Sequence, residues 1–141
     1  MSQLSLKDDL PFTTVTISYR GTQLDIQYIL VDTGSATTIL AADIVASIHI
    51  VPLPEDILHT IRGVGGTEVV FTRHVDYLQV GGRRLTDFEI EVGGMDYGFE
   101  INGILGMDFL TRTGALINLR EMSITFAKEG GKTGWNKPVC G

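Results

Sequence analysis

The chain has 141 residues, 43% of them hydrophobic, enough for one domain with its own core and too apolar for a disordered segment. Its net charge of −6 argues against nucleic acid as the main partner, because phosphate binding needs a positive field. No apolar stretch approaches the roughly 18 residues of a membrane span, and the single cysteine, Cys140, excludes an intrachain disulfide. Met1 to Asp9 has neither the basic start nor the apolar segment of a signal peptide, so a cytoplasmic protein with no membrane partner is expected.

Val15, Ile17 and Tyr19 alternate with Thr16 and Ser18, Gly21 marks a turn, and Leu24, Ile26, Tyr28 and Leu30 resume the period of two. Segments 15–19 and 24–31 therefore read as a hairpin. Ala41 to Ile48 is expected to be helical, with Ile44, Val45 and Ile48 on one face and Pro52 and Pro54 blocking continuation. Strands are expected over 57–62 and 67–80, joined by Gly63-Val64-Gly65-Gly66, and over 84–92, with Arg83 and Arg84 at a solvated hairpin tip. Gly93 opens a loop that runs to about Asn102. Gly103-Ile104-Leu105-Gly106 then leads into a short helical pattern, Met107 to Thr111, and 115–119 and 123–126 read as a last strand pair. The pattern is mostly β, and its two halves echo each other: a hairpin leads to an apolar strand, a glycine turn and a helix. The Gly- and Lys-rich segment 129–141 reads as a tail beyond a domain of residues 1–128.

Asp32-Thr33-Gly34-Ser35 occurs once. The run Tyr28-Ile29-Leu30-Val31 before it delivers a carboxylate at the end of a buried strand, on a tight turn. Read alone, Asp32 is either catalytic or a turn aspartate that satisfies nearby N–H groups. The other Asp-x-Gly, Asp96-Tyr97-Gly98, lacks the preceding apolar run and has a bulky central residue. Gly63 to Gly66 is not a phosphate cradle, since Glu68-Val69-Val70-Phe71 continues as a strand instead of opening a helix. Asp87, Glu89 and Glu91 alternate beside the apolar face of Phe88, Ile90 and Val92, as a solvated strand face does. His49, His59 and His74 lack metal-ligand spacing. Neither Cys140 nor Ser35 sits in a nucleophile motif.

Two motifs at this separation, Asp32-Thr33-Gly34 after an apolar run and Ile104-Leu105-Gly106 before a helix, resemble those of the retropepsin-like aspartic proteases, the homodimeric relatives of pepsin. The resemblance covers about 12–127, and Gly103 to Leu110 is most similar to the cellular and bacterial branch. It implies an all-β, closed or partly open acid-protease barrel with one or two short helices. It implies that Asp32 is the catalytic carboxylate, paired with Asp32 of a second chain. Thr33 would bond across the dyad, and Gly34 would donate its N–H to the carboxylates. Ser35 would support the carboxylate through its hydroxyl. Gly63, Val64, Gly65, Gly66 and Thr67 would form a flap tip, Ile104, Leu105 and Gly106 the ψ-loop support, and Met122 to Ala127 part of a dimer-interface sheet. Retroviral members usually carry Ala where this chain has Ser35.

The implied activity is aspartic endopeptidase cleavage of extended peptides or proteins with apolar residues around the scissile bond, by a homodimer, with no metal or organic cofactor. A retropepsin-fold dimerisation or peptide-binding module without catalysis is the alternative. A monomer active only when concentrated or fused to a larger partner is a third.

Overall fold

Two short strands, β1 (Ser2–Gln3) and β2 (Ser5–Lys7), precede the first long hairpin, β3 (Leu10–Tyr19) and β4 (Thr22–Val31). The computed structural model describes residues 2–63, 66–95 and 100–128, and of 61–63 and 66–68 the backbone only. The period of two expected through β4 breaks in its middle. Val15 pairs with Ile26 but Thr13 pairs with Ile29, so Gln27 and Tyr28 together oppose Thr14 in a bulge. Tyr28 takes the left-handed conformation there, with φ 59°. The extra residue shifts the inward face, so Ile29 and Val31 are buried in place of Leu30. One residue of slip reverses every later side chain, and the bulge thus sets how the chain enters Asp32.

β5 (Ile39–Ala41) leads into α1 (Ala42–Val45) and one turn of 3-10 helix, Ala46–Ile48, which stops at His49 with φ 70°. The expected helix 41–48 is therefore two shorter pieces. β6 (His59–Gly63), β7 (Gly66–Val80) and β8 (Arg83–Gly93) follow, then β9 (Gly103–Leu105), α2 (Met107–Arg112), β10 (Leu116–Asn118) and β11 (Ser123–Thr125).

The larger sheet runs β2-β3-β4-β9-β5-β8-β7-β6, and β3 also pairs with β7. That second pairing closes a barrel from β3, β4, β9, β5, β8 and β7, with β2 and β6 as flanking strands. The barrel interior holds Val15, Ile17, Ile29, Leu40, Leu78, Ile90, Val92 and Leu105, all buried. Phe109 of α2 stacks edge-on between Phe88 and Phe126, at 6.0 Å from each. Burying a side chain of this size stabilises by roughly 2–3 kcal/mol, which fixes α2 against the barrel. A second sheet has the order β1-β11-β10. β11 is its central strand, paired on both sides within the chain. Among the described residues, the outer edges of this sheet therefore belong to β1 and β10.

Segment 51–58 is held onto β7. Arg73 pairs with Asp56 where both side chains are nearly buried, and it also donates to the Val51 carbonyl. Asp56 accepts from the Leu53 N–H. Also on β7, Asp76 accepts from the Gly21 N–H at 2.9 Å and from the Ser18 hydroxyl at 3.0 Å, and these bonds hold its carboxyl below the usual carboxylate range. Among the described residues no helix is long and apolar enough to cross a membrane.

Candidate active site

β4 and β9 run parallel, pairing Ile29 with Gly103, Leu30 with Ile104 and Val31 with Leu105. The two sequence motifs thereby become neighbours: the Asp32 N–H donates to the Leu105 carbonyl at 3.0 Å, one residue past the paired strands. Ile104 also pairs with Ile39 of β5, so β9 lies between the strand entering the Asp32 turn and the strand leaving it. Asn102 anchors this arrangement at the bulge. Its N–H donates to the Tyr28 carbonyl and its side-chain amide to the Gln27 carbonyl, while its own carbonyl accepts from Ala41.

Asp32 is half-buried at the mouth of the turn. Its Oδ1 accepts the Gly34 N–H at 2.9 Å, and the Ser35 N–H closes the turn on the Asp32 carbonyl at 3.2 Å. A Cβ on residue 34 would stand 3.2 Å from that same carboxylate oxygen, so glycine keeps the space over the acid clear. Among the described residues no Lys, Arg or His forms an ion pair with Asp32. Thr33 is exposed, and its hydroxyl has no hydrogen-bond partner among the described residues. The Ser35 hydroxyl donates to the Thr37 carbonyl at 2.8 Å. A hydroxyl has one proton to give, so the bond expected from Ser35 to the carboxylate is replaced by one that braces the turn.

Gly106 fits where no other residue would. A Cβ there would lie 2.2 Å from the Thr37 carbonyl oxygen and 3.0 Å from that of Ser35. With that space open, the first turn of α2 lies against segment 35–38: the Met107 N–H donates to the Ser35 carbonyl and the Asp108 N–H to the Ala36 carbonyl. The Asp108 carboxylate accepts from the Thr38 N–H and hydroxyl, and the Thr37 hydroxyl donates to Glu91 at 2.8 Å. Sequence reasoning missed Asn102, Asp108, Thr38 and Glu91 in this support. Glu91 departs from the solvated face assigned to it, because the parallel pairing of β5 with β8 brings it beside Ile39. Asp87 and Glu89 do stay exposed, flanking His74 at 3.1 and 3.5 Å. Among the described residues no cluster of His, Cys, Asp or Glu is placed to hold a metal.

The hairpin expected as a flap is a ladder of β6 on β7 up to the pairs Arg62 with Thr67 and Gly63 with Gly66. Val64 and Gly65 lie outside the described residues, as do Asp96 to Gly98 and the segment 129–141.

A closed barrel that carries one Asp-Thr-Gly turn, braced by an apolar-apolar-Gly strand and a following helix, defines the retropepsin-like fold. The chain belongs to the aspartyl protease family, whose model matches residues 15–109. The solved crystal structure of a retropepsin-like aspartic protease from Rickettsia conorii is similar to it, with a TM-score of 0.64 at 16% identity, covering 89% of this chain and 97% of that one. At that identity the likeness concerns the fold. No curated protein matches the sequence.

Proposed function

We propose that this chain is an aspartic endopeptidase whose active site is completed by a second copy, each contributing Asp32. The observation that carries this reading is the Asp32 turn itself. It presents one carboxylate with a Gly34 N–H bonded to it and, among the described residues, no cation paired with it, on a fold of the aspartyl protease family. One such carboxylate cannot both take a proton from water and give one to the substrate. Two, held within hydrogen-bonding distance, share a single proton because both cannot ionise together. The ionised member takes the proton of a water whose oxygen attacks the peptide carbonyl. The protonated member donates to the carbonyl oxygen, giving a neutral tetrahedral diol. Collapse of the diol breaks the C–N bond, and a proton passes to the leaving amine.

The second copy has a place to dock. The β1-β11-β10 sheet has unpaired edges among the described residues, and Leu116 of β10 and Leu119 just after it expose 64% and 63% of their area. Apolar side chains at an open sheet edge invite pairing with another chain. The β6–β7 hairpin serves as the flap that shields the bound peptide from water. An extended substrate with apolar residues around the cleaved bond suits a cleft between β-rich subunits.

Asp32→Asn is expected to abolish cleavage of a mixed peptide library while the circular dichroism and sedimentation of the chain stay unchanged. Cleavage at the wild-type rate would refute the assignment. Peptide binding without turnover by the wild-type protein would favour a catalytically silent module.

A further inference from the structure

We propose that Asp108 is a positioning residue for the Asp32 carboxylate, acting through Thr38; the inference rests on the peptidase reading above. Asp108 occupies the second position of α2, two residues after Gly106. Its Oδ1 accepts the Thr38 hydroxyl at 2.7 Å and the Phe109 N–H at 2.7 Å, and its Oδ2 accepts the Thr38 N–H at 3.1 Å. Thr38 is fully buried, and its hydroxyl in turn accepts the Gly106 N–H at 3.1 Å. One carboxylate therefore ties the exit of the Asp32 turn to the glycine that closes the ψ-loop.

Every partner of the Asp108 carboxylate is a donor. A carboxylate is the side chain of this length that accepts on both oxygens. Asparagine has the same shape, yet its amide nitrogen would face either the Thr38 N–H or the pair on Oδ1. The entrance to the turn is fixed by the Asp32 N–H bond to Leu105 and the parallel β4–β9 pairs. Its exit, Ser35 to Thr38, depends on α2. Loss of the Asp108 bonds lets segment 35–38 move away from α2, and the Gly34 N–H moves with it. A displacement of about 1 Å at a catalytic group is enough to cost on the order of 100-fold in rate.

The test uses the full-length protein and a fluorogenic peptide with apolar residues around the scissile bond. Rates are expressed per active site, titrated with a tight-binding transition-state inhibitor, so that loss of folded protein does not enter. Asp108→Asn and Thr38→Val are each expected to lower kcat by roughly 10- to 100-fold with KM little changed. Thr38→Ser, which keeps the hydroxyl, should restore most of the rate. Since Asp108 acts through Thr38, the double variant Asp108→Asn with Thr38→Val should be no slower than either single one. In the same samples the Gly34 amide resonance should shift in Asp108→Asn and Thr38→Val and return in Thr38→Ser, a readout that needs no turnover. A wild-type protein that cleaves nothing would refute the peptidase reading while the Gly34 resonance still decides the positioning role. Unchanged kcat per site, multiplying losses in the double variant, or an unmoved Gly34 resonance would overturn that role.

Discussion

Gly106 and Thr37 leave each other no room, and that contact decides how the Asp32 turn can be built. With an ideal Cβ only 2.2 Å from the Thr37 carbonyl oxygen, Gly106→Ala forces segment 35–38 off α2. The expected loss is about 3 kcal/mol, at the upper end of the range for overpacked sites, read as a lower midpoint in urea. Gly82→Ala, with nothing within 4 Å of its Cβ, is the control and should change stability by less than about 0.5 kcal/mol. Equal effects of the two would contradict this packing. The residues that could be read from the sequence are those whose chemistry is local. Asp32 and Gly34 bond across two positions, and a short motif can encode that. Thr37 with Glu91 and Thr38 with Asp108 join residues 54 and 70 positions apart. No spacing rule reports such pairs until the strands are placed. The Ser35 bond is local too: its hydroxyl donates to the backbone carbonyl of Thr37, two positions on.

Among the elements, the long amphipathic segments were legible, as was the short β10–β11 pair, and several other short or irregular ones were not. The hairpins and α2 follow from alternation and from the Phe109–Leu110 apolar pair, whereas β1, β2 and β5 are three residues or fewer and carry no period to detect. The β4 bulge has no sequence signal either. Tyr28 adopts a conformation that disfavours residues with a Cβ by roughly 1–2 kcal/mol, and the two bonds from Asn102, far along the chain, hold it there. The link between β7 and the β3–β4 turn yields a prediction of its own. Asp76 has its folded pKa lowered chiefly by the Gly21 N–H and then by the Ser18 hydroxyl. A lowered folded value means that the unfolded chain binds more protons, so the stabilisation is fully present above the ordinary carboxylate pKa and is lost as pH falls through the folded one. Asp76→Asn should therefore melt at a lower temperature than wild type at pH 7. The gap should narrow as the pH falls below about 4. A gap that stays constant from pH 7 to pH 3 would contradict the assignment.

At the scale of the whole molecule, the closed barrel gives one turn per chain and the aspartyl protease family gives that turn its meaning. The sequence made the all-β class and the single Asp-Thr-Gly turn readable. It did not show that β11 is paired on both sides within the chain, by β1 and by β10. The central claim is that activity needs Asp32 from two copies, and mixing tests it most directly. Asp32→Asn chains are unfolded and refolded together with wild-type chains at constant total protein, and peptide cleavage is followed against the wild-type fraction. A shared dyad predicts a fall with the square of that fraction, to about a quarter of full activity in an equal mixture, because only dimers with two wild-type chains work. A linear fall, to half in the equal mixture, would mean that each chain carries a complete site and would contradict the account.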